Sequence, residues 1–221
     1  MSTYGAMTSR IADELVNDGD ISTVQIQRAI QTAIADYAGE QLWFNEAVST
    51  FSTVASQELY TSADLAAIPT IIKVLSMRIA NSGAYTAYIN GINNDNIEDM
   101  QDGSITGAPE YYSRFANNLR LYPIPDAVYS IKISYIATLA TLSADADTNA
   151  WMTDGEEVIR QAAKKRLAMD YLADDALAQR CAVMERAAHD GMRQENRNRR
   201  SQQLLRTEIN NRRTFNINAG W

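Results

Sequence analysis

The chain has 221 residues, 46% apolar and 21% charged, with 20 Lys and Arg against 27 Asp and Glu for a net charge of −7. That length buries a real core, as one domain or one domain carrying an insertion, and that composition is ordinary for a soluble globular protein. No apolar run approaches the ~20 residues of a membrane helix, residues 1–7 lack the basic and apolar regions of a signal peptide, and a single cysteine, Cys181, excludes an intrachain disulfide framework and suits a reducing cytoplasm.

Residues 8–17 carry a helical pattern that ends at the breaker Asn17-Asp18-Gly19-Asp20. Ser22 and Gln25 have capping-box spacing, and Ile26, Ala29, Ile30, Ala33, Ile34 and Tyr37 then repeat at helical spacing up to Gly39. After Leu42-Trp43-Phe44 the texture changes. Val48 to Tyr60 is rich in Thr, Ser, Val, Phe and Tyr, and Gln57-Glu58 divides it into two predicted strands. Ile71 to Ile79 is a further β-branched run, less cleanly alternating, which predicts a strand covered on both faces. Asn81-Ser82-Gly83 marks a turn, and the Asn- and Asp-rich stretch 90–103 predicts a loop holding a short helix over 94–101.

Tyr111–Phe115 and Leu119–Tyr122 predict strands around an Asn117-Asn118 turn, because Asn tolerates left-handed backbone angles. Leu119–Tyr122 then leads through Pro123-Ile124-Pro125-Asp126 to Tyr129–Tyr135, where Tyr129, Ile131, Ile133 and Tyr135 alternate with Ser130, Lys132 and Ser134. Two prolines without a ladder donor and an Asx-type turn residue predict a hairpin here. Helix returns with a second capping-box pattern, Thr153 to Glu156. Ile159, Ala163, Leu167 and Tyr171 form one stripe, and beyond Asp174-Asp175 the residues Leu177, Cys181, Met184, Ala188 and Met192 form another.

Past Arg200 the helical pattern dissolves into a polar arm ending in Phe215 to Trp221. The predicted organisation is α+β: a helical bundle of two N-terminal and two C-terminal helices (1–45 and 138–200), an inserted antiparallel β domain (46–137) and an extended C-terminal arm (201–221). Charge is divided unevenly along it. From Arg193 to Arg213 seven arginines face two acids, a local +5, so residues 1–192 carry −12. An acidic body with an all-arginine arm points to docking on something anionic.

Catalytic equipment is sparse. The chain holds none of the glycine-rich phosphate loops or nucleophile-elbow patterns. His189 is the only histidine, and Cys181 lies two helical turns away, about 12 Å along the axis, too far for a dyad. Asp145, Asp147, Asn149 and Glu156 fall at calcium-loop positions, but Ala150 stands where the sharp turn demands glycine. They read instead as an acidic linker into a capped helix, and the pairs Glu156-Glu157 and Asp174-Asp175 as acids at helix starts. No catalytic residue, metal site or cofactor follows from these patterns.

Three local features resemble the head-to-tail adaptor (connector) proteins of short-tailed bacteriophages. They are Arg10 to Leu15 with the helix running into Trp43-Phe44-Asn45-Glu46, the Leu119-Arg120-Leu121-Tyr122-Pro123-Ile124-Pro125-Asp126 segment with its following strand, and Asp147 to Thr153 opening the third helix. The resemblance spans most of residues 8–190. It implies a structural virion protein rather than an enzyme, assembled in the host cytoplasm into the head–tail neck. It also implies a homo-oligomeric ring, a dodecamer by resemblance, under the portal protein, which it links to tail or nozzle proteins. DNA would pass through the channel at genome ejection without specific binding. The arm is then the expected partner-binding element, with Arg199, Arg200, Arg206, Arg212 and Arg213 on carboxylates and Phe215 and Trp221 as anchors. The alternative is a nucleic-acid-binding protein that uses the same arginine-rich segment on phosphates.

Overall fold

The computed structural model describes residues 2–15, 21–81, 83–100 and 105–212, with 201–212 described by backbone alone. In chain order the elements are α1 (Tyr4–Glu14), α2 (Thr23–Tyr37), β1 (Glu46–Ser52), β2 (Leu59–Tyr60), β3 (Ile71–Asn81) and β4 (Ala84–Gly91). There follow α3 (Asn94–Met100), β5 (Tyr111–Phe115), β6 (Asn118–Tyr122) and β7 (Ser130–Ala137). The chain closes with α4 (Ala150–Thr153), α5 (Glu156–Leu167), a π-helical turn (Ala168–Leu172) and α6 (Asp175–Arg212). It is a mixed α/β protein in two compact units: one comprises Met1–Ala38, Leu42–Phe44 and Ala140–Trp221, the other Gly39–Gln41 and Asn45–Leu139.

In the helical unit α1 starts four residues before the predicted position, because its first N–H groups find partners. The Thr3 hydroxyl accepts from the Ala6 N–H, and the N–H groups of Tyr4 and Gly5 donate to the carbonyls of Asp147 and Asp145, each at 2.9 Å. Tyr4, Met7, Thr8 and Ile11 form its buried stripe. The expected breaker Asn17–Asp20 lies outside the described residues. Ser22 and Gln25 form the full capping box of α2, whose Ile26, Ala29, Ile30 and Ala33 are buried.

The Thr153–Glu156 capping box does not form. Asn149 caps the short α4 through the Trp151 N–H, and Gly155 precedes α5 with no side-chain cap. Helix α5 is buried almost all round, from Val158 to Ala163 and again at Leu167; it packs against α1, α2, α4 and α6. One apolar stripe understates a helix with that many neighbours. After the π-helical turn, Ala173 takes a left-handed conformation (φ 49°) and Asp174 caps α6 through the Leu177 N–H at 2.9 Å. The stripe of α6 also differs from expectation: Met184 is half exposed, while Glu185 joins Ala178, Cys181 and Met192 on the buried side.

In the β unit the strand order is β1-β7-β3-β4-β5-β6-β2. All pairings are antiparallel except β4 with β5, which are parallel, so the inserted module is not purely antiparallel as predicted. Strand β4 stands where the sequence carries no predicted element, between the Asn81-Ser82-Gly83 turn and the loop from residue 90. The β5–β6 hairpin forms with Ala116 (φ 47°) and Asn117 (φ 61°) at its tip, one residue before the predicted turn.

The predicted β6–β7 hairpin does not exist. Strand β6 pairs with β5 and β2, while both edges of β7 are taken by β1 and β3. The proline segment is instead a crossover within the sheet, held by the β1–β2 loop. Thr53 donates its N–H to the Tyr129 carbonyl and its hydroxyl to that of Ala127, and Ser56 donates to the Pro125 carbonyl. The Tyr122–Pro123 peptide is cis. Ile131, Ile133 and Tyr135 do face the core, with Met77, Ile79, Leu119 and Leu121. The broken alternation of β3 has its cause in two register shifts against β7, between Ile71 and Lys73 and between Val74 and Ser76. Its outward residues are partly exposed, so β3 is not covered on both faces as expected.

Candidate partner-binding surface

The residues that carry the N-terminal and third-helix resemblance meet in the helical unit as a run of rings. Trp43 meets Phe44 edge-on at 5.1 Å, and Phe44 meets Trp151 edge-on at 4.9 Å. Tyr37 stands 6.5 Å from Trp151 and 5.1 Å from His189 of α6. At the other end the Arg199 guanidinium sits over the Trp43 ring at 4.6 Å and also pairs with Glu195 at 2.8 Å. The rings therefore hold α6 at two points ten residues apart, at His189 and at Arg199. Gly155 makes room for this packing: a Cβ there would lie 2.6 Å from the Trp151 ring.

Ionic contacts tie the same helices. Glu14 takes Arg10 at 3.0 Å, Lys164 at 2.9 Å and Arg160, which also binds Glu157. Burial pushes the Glu14 carboxyl upward, but these three cations outweigh it and hold the group below its ordinary value; Glu157 is lowered against burial by Gln161 and Arg160. Glu185 accepts from the Tyr37 hydroxyl at 2.6 Å and from Lys165. These groups border an open hollow of about 720 Å³ that His189 also lines.

The acidic linker is spent on local structure. The Asp147 carboxylate accepts from the N–H groups of Ser143 and Ala144 at 2.7 Å each, which holds it below the usual range, Asn149 caps α4, and Glu156 pairs with Arg10. Among the described residues no His, Cys, Asp and Glu cluster is placed to hold a metal. Burial pushes the Cys181 thiol up, away from reactivity.

Helix α6 is the extended feature of this unit. It continues through Arg212, past the predicted end of the helical pattern at Arg200, so the first part of the predicted arm is helical backbone. Gln, Leu, Arg and Glu sustain a helix there without an apolar stripe. At about 1.5 Å per residue it spans roughly 57 Å. Of the candidate residues, Arg199 and Arg200 are exposed on α6, Arg206 and Arg212 lie on its backbone-only end, and Arg213, Phe215 and Trp221 fall outside the described residues. Arg193, Arg197 and Arg200 share one side of the helix by their i, i+4, i+7 spacing. Val183 (70% exposed) and Met184 (50%) stand out on α6, and Met169 and Tyr171 on the π-helical turn. Tyr171 and Met184 have the spacing of the predicted buried stripes yet are exposed, whereas Met169 and Val183 belong to neither stripe.

Ionisable groups committed to holding helices together, beside a long arginine-bearing helix and exposed apolar side chains, are the equipment of an assembly component. The chain belongs to the SU10 adaptor protein family, whose family model matches residues 2–213. It is thus a phage adaptor, a structural component of the virion neck. The match extends through the arginine-rich segment to Arg213 and stops short of Phe215 and Trp221. No curated protein matches the chain, and among the described residues no helix is long and apolar enough to cross a membrane.

Proposed function

We propose that the chain assembles as a homo-oligomeric ring beneath the portal protein, links it to tail or nozzle proteins and leaves a channel for DNA at genome ejection. Its role is structural, without catalysis or cofactor. The observation that carries this is membership of the adaptor family over residues 2–213. A ring closes from identical head-to-tail contacts between two different patches of one subunit, and α6 and the π-helical turn carry exposed apolar groups available for such contacts. The helical bundle (1–45 and 138–200) with the β domain (46–137) is the body of the subunit, and residues 201–221 are its docking arm. Arg199 and Arg200 at the end of the bundle, with Arg206, Arg212 and Arg213 of the arm, meet partner carboxylates while Phe215 and Trp221 anchor.

Negative-stain imaging of the protein alone and mixed with its portal tests the reading: rings seated on the portal are expected, and a subunit that stays monomeric beside the portal rejects it. One observation favours a second reading, the alignment of Arg193, Arg197 and Arg200 on one side of α6, which suits a phosphate backbone. Tight, steeply salt-dependent binding of duplex DNA by the isolated subunit would favour it.

A further inference from the structure

The outward face of the sheet carries an arrangement that the adaptor role does not use. One row crosses four strands: Thr50 of β1 lies opposite Lys132 of β7, Lys132 opposite Arg78 of β3, and Arg78 opposite Tyr88 of β4. In the adjoining row Val48, Ser134 and Ser76 are partners. Two like charges directly opposite on one face of an antiparallel pair repel and destabilise the sheet. An opposing carboxylate is the ordinary remedy, and none is present: among the described residues neither cation forms an ion pair. Arg78 lies over the Tyr88 ring at 4.1 Å and bonds its hydroxyl, and Lys132 lies 5.9 Å from the Tyr85 ring. Rings attract these cations but leave both charges uncancelled. The only acid on the four strands is Glu46, at the far end of β1, where it accepts from Gln41.

The cations border a hollow of about 330 Å³ whose other walls are Ser76, Ser134 and Tyr85. Its polar groups are two fixed positive charges and three hydroxyls, the Tyr85 hydroxyl being 2.8 Å from that of Ser130. Two cations and several hydroxyls around one hollow match an anion with several oxygens rather than a halide. In a chain of net charge −7, a cation pair set directly opposite, on a face whose one strand carboxylate, Glu46, stands at the far end of β1, marks a site kept for a ligand. We propose that this hollow binds a phosphate group, its oxygens between Arg78 and Lys132 and in reach of the Ser76 and Ser134 hydroxyls. The phosphate is either free or part of a nucleic-acid backbone. The site lies in the β unit and stands independently of the ring reading.

The test compares the full chain with Lys132→Thr and Arg78→Thr, both β-compatible changes on a partly exposed face. Thermal melts are recorded in sodium phosphate and in sodium chloride of equal ionic strength. Phosphate should raise the wild-type Tm above its value in chloride. Each variant should melt at or above wild type in chloride, because the repulsion is gone, and should lose the phosphate response. Anisotropy of a labelled duplex separates the sources: binding weakened at least tenfold in both variants assigns the site to nucleic acid, and unchanged binding with the phosphate response lost assigns it to free phosphate. An equal phosphate response in wild type and variants overturns the proposal, as does no response to either probe.

Discussion

Gly155 and Gly5 carry more of the helical unit than their size suggests. A methyl on Gly155 would sit 2.6 Å from the Trp151 ring, and one on Gly5 would sit 2.7 Å from the Asp145 Cβ, in the loop whose carbonyls accept from the start of α1. Trp151 is buried, so its ring cannot swing into solvent. Gly155→Ala should therefore destabilise by about 1–3 kcal/mol through overpacking, read as a lower melting temperature with unchanged helical signal before the transition. Glu14 gives a second test, by pH. Its carboxyl and that of Glu157 titrate below their ordinary value of 4.5 in the folded chain. A depressed carboxyl contributes stability that is present above the unfolded value and lost as pH falls through the folded one. Urea midpoints should therefore drop between about pH 6 and pH 3, and the drop should be shallower in Glu14→Gln.

At the scale of elements, the Leu119–Tyr122 motif acts through alternation and not through a hairpin. Leu119 and Leu121 enter the core while Arg120 and Tyr122 hold α3: Arg120 pairs with Glu58 and Glu98 and bonds Asn94, and the Tyr122 hydroxyl donates to the Met100 carbonyl. Arg120→Met should cost about 2 kcal/mol, the scale of a charged hydrogen bond, and amide exchange in α3 should accelerate ahead of the sheet. This strand was legible because period-2 burial is local. Its partner was not: β6 and β7 are adjacent in sequence, yet β3, β4 and β5 lie between them in the sheet, and proline turns do not record which strands pair. Strand β4 has β-rich residues in Tyr85, Thr86 and Tyr88, but a register shift against β3 between Ile79 and Ala80 breaks the period-2 pattern by which a strand is legible. The capping box of α2 was fully legible, being complete within Ser22–Gln25; the Thr153–Glu156 copy failed because Asn149 starts a separate turn of helix first. The pair Arg199–Trp43 joins residues far apart in sequence, and no local pattern announces it.

For the whole molecule the two readings of the arginine-rich segment part on ionic strength and on truncation. Binding that neutralises several phosphates releases their counterions, so its constant falls with a log–log slope of about −0.9 per phosphate on duplex DNA. Docking through apolar anchors and desolvated arginine–carboxylate pairs depends far less on salt. A chain truncated after Ser201 keeps the Arg199 contact with Trp43 and loses Arg206, Arg212, Arg213, Phe215 and Trp221 together. If the segment is a docking arm, this truncation should lower portal occupancy at least tenfold, counted in negative stain. The occupancy of the full chain should change little between about 50 and 200 mM salt, over which a binder making six to ten phosphate contacts would weaken by roughly 10³–10⁵. Unchanged occupancy after truncation removes the arm from the interface and leaves the exposed Val183–Met184 face of α6 as the contact to be tested next.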